Sequence, residues 1–362
     1  MKLIPLGPVT TVMENPLSRH CYFGWPTVER LQDGRLAVAA SGYRIRHICP
    51  FGKTVLSFSQ DEGRSFSSPA PVIDTLLDDR DGGLLAFGKS SLLVTSFNNS
   101  KRVQQEAPKL SPYAAAYLDS LSDEDEAQAL GSSFRISHDG GATFGPLHKS
   151  PITSPHGPAL LGDGTILWVG RTFSPHDVKM ENDAIGAYRL SEDGSMEPLG
   201  KIEAVTENNR ELLSCEPHAI ALPDGSVLCH FRVQDYPYRE FFTTYQSRSL
   251  DGGKTWSKPR AVLPPFGGAP SHLMLHSSGV LIASYGYRAA PYGIRVMFSR
   301  DLGEHWELDH ELYRNPHSPD LGYPSTVELS DGSLFTVFYA HSRPLKEWPG
   351  AEILAQRWRL AD

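Results

Sequence analysis

Residues able to do acid-base or binding chemistry recur in this chain at two kinds of position. Both flank short hairpins built as an apolar run, a tight turn and a second apolar run. Just before the hairpins stand Trp25, Arg80 and Asp81, His156, Glu216 and His218, His272, and Asp320 with Tyr323. Just after the second strands stand Tyr43 with Arg46 and His47, Arg171, Arg232, Tyr287 with Arg288, and Tyr339 with His341. Carboxylates and imidazoles of this kind transfer protons, aromatic rings stack on sugar faces, and arginines hold carboxylates in a fork of N–H donors. Glu216 follows Cys215 at the start of an apolar run, where a carboxylate is costly to bury without a partner. Taken singly, each residue has an ordinary reading. Asp78 to Gly83 reads as a turn with a surface ion pair, His218 and His272 as buried core histidines, His156-Gly157-Pro158 as turn punctuation, and Tyr323 as a packing tyrosine. What gives them chemistry is an architecture that brings both sets of positions to one place.

The hairpins supply that architecture. Their turns are Asp33-Gly34, Asp163-Gly164, Asp224-Gly225, Ser278-Gly279 and Asp331-Gly332. Asp-Gly between alternating apolar runs is a strong short-range hairpin signal. A second turn type follows at intervals: Ser59 to Phe66, Ser137 to Phe144, Ser191 to Ser195, Ser247 to Trp256 and Ser299 to Trp306. The pattern is Ser-x-Asp-x-Gly-x-Thr-aromatic, degraded in the Ser191 copy. The Asp accepts hydrogen bonds from the turn's own amides, Gly provides positive φ, and the aromatic packs beneath. Near-constant separations from Asp33 to Asp61, Asp163 to Asp193 and Asp224 to Asp251 make this a repeat.

These second turns resemble the Asp-boxes, or BNR repeats, of the sialidase (neuraminidase) superfamily. The resemblance implies an all-β, six-bladed β-propeller of four-stranded antiparallel blades, with the boxes on the outer rim. It covers nearly the whole chain, so residues 1–362 are expected to form one domain. Blade two is expected to carry a short helical insertion at about 99–130, because Pro112 to Asp119 and Asp123 to Leu130 are rich in helix formers. That insertion is either part of the rim of the site or an acidic, solvated flap. Lys2 to Thr11 is expected to close the ring beside Ala351 to Leu360, removing the unpaired edge.

The family's reactive residues carry over only in part. Glu216 to Arg232 resembles the stretch bearing the glutamate and second arginine of a sialidase, and Gly322-Tyr323 the stretch bearing its tyrosine nucleophile. For the third arginine, Arg288 at a strand end fits better than Arg295. The family's Arg-Ile-Pro is here Gly24-Trp25-Pro26, so the first arginine is missing. Its acid region reads Tyr43 to Pro50, without the aspartate. Arg46 or Arg80 is expected to replace the arginine, and Asp81 or His47 the acid. The expected catalytic set is Tyr323, Glu216, Asp81 and His47. The expected substrate contacts are Arg80, Arg232, Arg288, Trp25, Arg46, His156, His218, His272 and Tyr287, with Trp25 stacking on the sugar ring.

Composition excludes other classes. The net charge of −8 offers no basic stripe for nucleic acid. No apolar run approaches the roughly 20 residues of a membrane helix, and the N-terminus lacks a leader pattern, so a cytoplasmic protein is expected. Cys21, Cys49, Cys215 and Cys229 lack metal-ligand spacing and read as reduced thiols. No cofactor and no metal are expected, and the partner is a carbohydrate. Three activities stay open: an exo-acting glycoside hydrolase releasing an acidic or deoxy sugar, a non-sialidase glycosidase or uronate lyase on the same fold, and a binding propeller without catalysis.

Overall fold

The computed structural model describes residues 1–172, 185–235, 240–314, 316–344 and 350–361. Six antiparallel sheets form a ring, each running outward from an innermost strand. Blade one is Tyr22–Arg30, Leu36–Arg44, Lys53–Ser59 and Ala70–Ile73; blade two is Arg80–Phe87, Ser91–Phe97, Ser132–Ser137 and His148–Ser150. Blade three begins with the short Ile152–Thr153 and Ala159–Leu160, then Ile166–Thr172, Ile185–Leu190 and Met196–Ile202. Blade four is Leu213–Ala221, Val227–Gln234, Phe242–Ser249 and Arg260–Ala261; blade five is Ser271–Leu275, Leu281–Tyr287, Gly293–Ser299 and Glu307–Arg314. Blade six is Gly322–Glu328, Leu334–Ala340 and Glu352–Ala361; its segment 345–349 lies outside the described residues. Lys2–Pro5 and Thr10–Met13 pair with Glu352–Ala361, so the first residues of the chain close the ring on the last, as expected.

Because each blade packs face to face with both neighbours, its strands are apolar on both faces; all of Leu36 to Gly42 is buried. The core is therefore six wedges. Val38, Phe335 and Ile353 belong to one cluster between blades one and six, and Leu56, Leu84 and Leu92 to another between one and two. Phe134 meets Trp168, Leu167 meets Phe231, Leu228 meets Leu281, and Phe298 meets Phe338 in the remaining four.

The boxes form the joints between blades. Asp251 Oδ1 accepts from Thr255 N at 2.8 Å and Oδ2 from Thr255 Oγ1 at 2.6 Å, while Ser249 Oγ accepts from Gly253 N at 2.8 Å. Asp61, Asp139 and Asp301 repeat the arrangement with Ser65, Thr143 and His305. Each box glycine lies against the preceding blade. A Cβ would sit 2.5 Å from Phe335 at Gly63, 2.5 Å from Phe58 at Gly141, 2.9 Å from Leu167 at Gly253 and 2.8 Å from Leu228 at Gly303. The box aromatics lean the same way, Phe66 onto Phe335 at 6.1 Å and Trp306 onto His230 at 5.1 Å.

The Ser191 turn departs from the expectation. It joins the third and fourth strands of blade three, where a box belongs, but Asp193 accepts from Ser195 two residues on, like the inner hairpin turns at Asp163 and Asp224. It lacks the hydroxyl four residues after the Asp and the aromatic after that, so it is an ordinary hairpin turn with Gly194 at positive φ.

The insertion in blade two forms three short helices, Lys101–Gln105, Pro112–Ser120 and Asp123–Ala129, capped by Ser100, Ser111 and Ser122. Among the described residues no disulfide joins the four cysteines. Among the described residues no helix is long and apolar enough to cross a membrane.

Replacing Gly253 (φ 94°) by Ala adds a methyl against Leu167 and strains the turn. The expected loss is about 1–3 kcal/mol of unfolding free energy, measurable by urea denaturation, with chemistry at the ring axis unaffected. Unchanged stability would mean that the joint tolerates a wider gap.

Candidate active site

At one end of the axis four innermost strands break their ladders in the same way. Trp25, Asp81, Glu216 and Tyr323 have φ of 55°, 51°, 52° and 48°, each at a bulge between the first and second strand of its blade. Side chains avoid this left-handed region, and bulky ones do so strongly, at about 1–3 kcal/mol each. Pro26, Pro217 and Pro324 follow three of the four. A proline cannot donate to the ladder, so the strand bulges there and swings the preceding side chain inward. The strain is shared by four blades and aims four side chains at one spot.

Tyr323 Oη donates to Glu216 Oε1 at 2.5 Å, and Arg232 Nη1 donates to both oxygens of that carboxylate at 3.0 and 2.9 Å. Arg232 Nη2 donates to Gln234. Burial pushes the Glu216 carboxyl up, but the Arg232 charge, the two hydrogen bonds and Arg288 outweigh it and hold the group below its ordinary value. Burial, with Glu216 and Asp81 nearby, pushes the Tyr323 phenol well above 10. The resting pair is thus a carboxylate holding a neutral phenol. Burial raises Asp81 to about 7; the charge on Glu216 adds to this, and Arg80 and Arg44 oppose it. Arg288 donates from Nε to Leu321 O at 3.1 Å, with its guanidinium carbon 5.9 Å from the Tyr323 ring and 5.2 Å from Phe242.

A second cluster adjoins the first. Asp78 is fully buried and pairs with both Arg44 and Arg80, the latter at 3.1 Å. The two guanidinium groups lie 4.8 and 4.0 Å from the Trp25 ring. Arg80 also donates to His47 O at 2.7 Å and lies 3.2 Å from His47 Nε2. Since arginine only donates, that nitrogen is the acceptor, and the ring proton sits on Nδ1, facing Asp320 Oδ1 at 3.1 Å. Asp320 is a hub. It also accepts from Tyr22 Oη at 2.8 Å and Tyr339 Oη at 2.7 Å, with His341 Nε2 at 3.3 Å. Burial pushes its carboxyl up, but these hydrogen bonds overcome it and hold the group well below its ordinary value.

The structure brings most of the expected residues together but gives several another role. Trp25 is 1% exposed, with His47 against its edge at 5.0 Å and Tyr323 at 6.4 Å, so its faces are not open to a sugar ring. It supports Arg44 and Arg80 instead. Arg46 offers its carbonyl to Arg44, and its own buried Nε has no hydrogen-bond partner among the described residues. Tyr287 lies under Arg295 at 3.8 Å, and Arg295 pairs with Asp309; Arg288, not Arg295, is beside the tyrosine.

His156, His218 and His272 lie one layer deeper, buried at 1%, 8% and 6% exposure. Their rings are 4.2 to 5.5 Å apart. His218 Nδ1 accepts from Leu273 N at 2.9 Å and His272 Nδ1 from Thr326 N at 3.3 Å, while Ser325 Oγ accepts from Val28 N at 3.1 Å. Each side chain thus caps an amide on the free edge of the next blade's innermost strand. A cavity of about 530 Å³ entering from the opposite end reaches His218 and His272. His218 and His272 are therefore corrected from substrate contacts to caps of the strand edges, and His156, whose Nδ1 lies 3.2 Å from Thr27 Oγ1, to a buried ring packed beside them. Sequence reading left Tyr22, Arg44, Phe242 and the hub role of Asp320 unrecognised. Among the described residues no group of His, Cys, Asp and Glu is arranged to hold a metal ion.

Six blades carrying this constellation at the axis define a sialidase-like β-propeller. A model of the BNR repeat-like domain matches residues 118–336, and the chain belongs to that family. The fold is similar to that of a protein of unknown function from Dyadobacter fermentans, at TM-score 0.76, 20% identity and 99% coverage of both chains. It is similar to the NanB sialidase of Streptococcus pneumoniae at TM-score 0.68 and 13% identity, over 98% of this chain and 71% of that one. It is also similar to an α-L-arabinanase of Penicillium chrysogenum complexed with arabinobiose, at TM-score 0.61 and 16% identity, over 98% and 97%. No curated protein matches the sequence. Sialidase and arabinanase are glycoside hydrolases, so the fold is glycoside hydrolase-like.

Burial holds His218 at about 3 and His156 and His272 well below 6.5. A folded value below the unfolded one of about 6.5 means that stability is complete above pH 6.5 and is withdrawn as pH falls towards 3. Urea denaturation at pH 7, 6 and 5 should show this decline. In His218→Gln, which retains an acceptor, the decline should be shallower by up to about 1.4 kcal/mol per pH unit. An identical slope in the variant would rule out His218 as a source.

Proposed function

We propose that this protein is an exo-acting glycoside hydrolase of sialidase type, removing a terminal acidic or deoxy sugar from a glycan. The observation that carries the reading is the 2.5 Å hydrogen bond from Tyr323 to a carboxylate braced by Arg232, at the axis of a propeller. Glu216 takes the phenol proton as Tyr323 Oη attacks the anomeric carbon. The bond to the leaving oxygen breaks, and Asp81, protonated below about pH 7, gives that oxygen its proton. Water then attacks the glycosyl-tyrosine. Asp81 takes the water's proton, Glu216 returns its own to Tyr323, and the sugar leaves with net retention of configuration. Arg232 and Arg288 hold the sugar's carboxylate or hydroxyls. Arg80, tied to Asp78 and His47, sets the rim.

A uronate lyase on the same fold is the second reading. It is favoured by Gly24, which stands where the family's first arginine would be, and by the Tyr22, Tyr339, His47 and His341 side chains gathered around Asp320.

The test is a panel of aryl glycosides of sialic acid, rhamnose, fucose and uronate, run with wild type, Tyr323→Phe and Asp81→Asn. Under the hydrolase reading, Tyr323→Phe loses about 10³-fold or more of kcat. Asp81→Asn loses far more on poor leaving groups than on nitrophenolate, and wild-type rates on poor leaving groups decline as pH rises through about 7. A 4-linked uronate oligosaccharide is assayed beside the panel. Loss of the proton beside the carboxylate with departure of the C4-linked sugar gives an unsaturated product absorbing in the near ultraviolet, which selects the lyase. Binding without turnover of either kind of substrate selects a non-catalytic propeller.

A further inference from the structure

The helical insertion of blade two is fastened to the rim at the end of the axis that carries the Tyr323–Glu216 pair. It follows the second strand of that blade, and the loop between the second and third strands of blade one reaches it. Phe51 of this loop stacks on Tyr113 of helix Pro112–Ser120 at 4.8 Å and 25°, and meets Tyr117 at 5.1 Å. Tyr117 Oη donates to Leu76 O at 3.0 Å, and Asp79 N donates to Gly52 O at 3.2 Å. Gly52 itself abuts the Arg44 guanidinium, where a Cβ would overlap Nη1. The insertion is therefore bonded to the segment 75–80 that leads directly into Asp81. This settles the choice left open by its acidic composition: its aromatic side packs on the rim.

At the top of this stack the protein presents an unusual surface. Tyr113 is 49% exposed. Arg19 is exposed and lies over the Tyr113 ring, its guanidinium carbon 4.6 Å from the centroid. Among the described residues no hydrogen bond or ion pair engages that guanidinium. The ring fixes the plane of the group while its N–H fork stays available, which is the arrangement that recognises paired acceptor oxygens. Leu17, two residues before Arg19 in the chain, is fully exposed.

We propose that Arg19 and Tyr113 form an outer subsite for a sugar residue on the leaving-group side of the scissile bond. Its acceptor oxygens, hydroxyl or carboxylate, take the Arg19 N–H fork, and its C–H surface lies along the Tyr113 ring edge. The leaving-group side is assigned because the platform is anchored to the segment ending in Asp81, the group that protonates the leaving oxygen. This inference rests on the glycosidase reading, and it makes the enzyme selective for oligosaccharides over simple glycosides.

Arg19→Ala and Tyr113→Ala are compared with wild type on the aryl glycoside that the panel selects and on a tetrasaccharide ending in the same sugar. The expected result is a fall of about tenfold in kcat/KM on the tetrasaccharide, mainly through KM, with the aryl glycoside changed less than about twofold. Tyr113→Phe, which keeps the ring, should retain wild-type selectivity. Equal losses on both substrates, or none on the tetrasaccharide, overturn the subsite while leaving the hydrolase reading intact. If neither substrate turns over, the hydrolase reading fails. The subsite is then decided by calorimetric titration with tetrasaccharides ending in sialic acid, rhamnose, fucose or uronate. Binding weakened about tenfold by Arg19→Ala upholds it. Unchanged affinity, or no binding to wild type, overturns it.

Discussion

A strand that faces the axis of a ring has a neighbour on only one edge. Its other row of amides and carbonyls looks into the hole, where buried polar groups must find partners. This protein meets that constraint differently in two adjacent layers. In the deeper layer, side chains from one blade accept hydrogen bonds from the next blade's strand, as His218 does from Leu273, His272 from Thr326 and Ser325 from Val28. In the upper layer the ladder is broken by a bulge, and the freed turn of backbone points Trp25, Asp81, Glu216 and Tyr323 inward. The same requirement therefore produces both the rigidity of the axis and the reactive end of it.

Charge in the upper layer is arranged in pairs. Asp78 lies between Arg44 and Arg80, and Glu216 is held by Arg232. Removing one partner of a buried pair leaves an uncompensated charge, at about 3–5 kcal/mol. The framework arginines are thereby fixed, and each holds something beyond its carboxylate: Arg44 and Arg80 grip the His47 carbonyl, and Arg232 grips Gln234. Arg288 differs. Its Nε is tied to Leu321 O, its plane is set by Phe242 and Tyr323, and the charge stands beside the tyrosine that the proposed reaction uses.

Much of this was legible in the sequence because turns are local. The Ser-x-Asp-x-Gly pattern and the Asp-Gly hairpins specify their own hydrogen bonds, so the turns could be read directly, and their resemblance to Asp-boxes implied the blade order and the closing strand. The Tyr323–Glu216 pair was implied by the resemblance of those two segments to sialidases, at positions that the hairpins direct to the axis. What failed depended on distance. Tyr22 and Arg44 lie in strands that read as core, and their partner Asp320 is almost three hundred residues from Tyr22 in the chain. Trp25 read as a stacking ring because nothing local shows that Arg44 and Arg80 cover it. The histidines read as ligands because only the ring places them against a neighbour's bare amides. One local signal went unused: Trp25-Pro26, Glu216-Pro217 and Tyr323-Pro324 repeat the same dipeptide form at the head of three inner strands, and each marks a bulge.

Burial acts on both layers in the same direction. Asp81 stands near 7 chiefly because burial denies its charged form solvation. His218 and His272 of the deeper layer are held neutral for the same reason, and only the neutral ring can accept the backbone amide that each caps at Nδ1. An imidazolium there would give up that amide. Exclusion of water from the axis therefore keeps neutral acceptors on the strand edges and a carboxylic acid protonated close to neutral pH, while the carboxylate that accepts the Tyr323 proton is held ionised by Arg232.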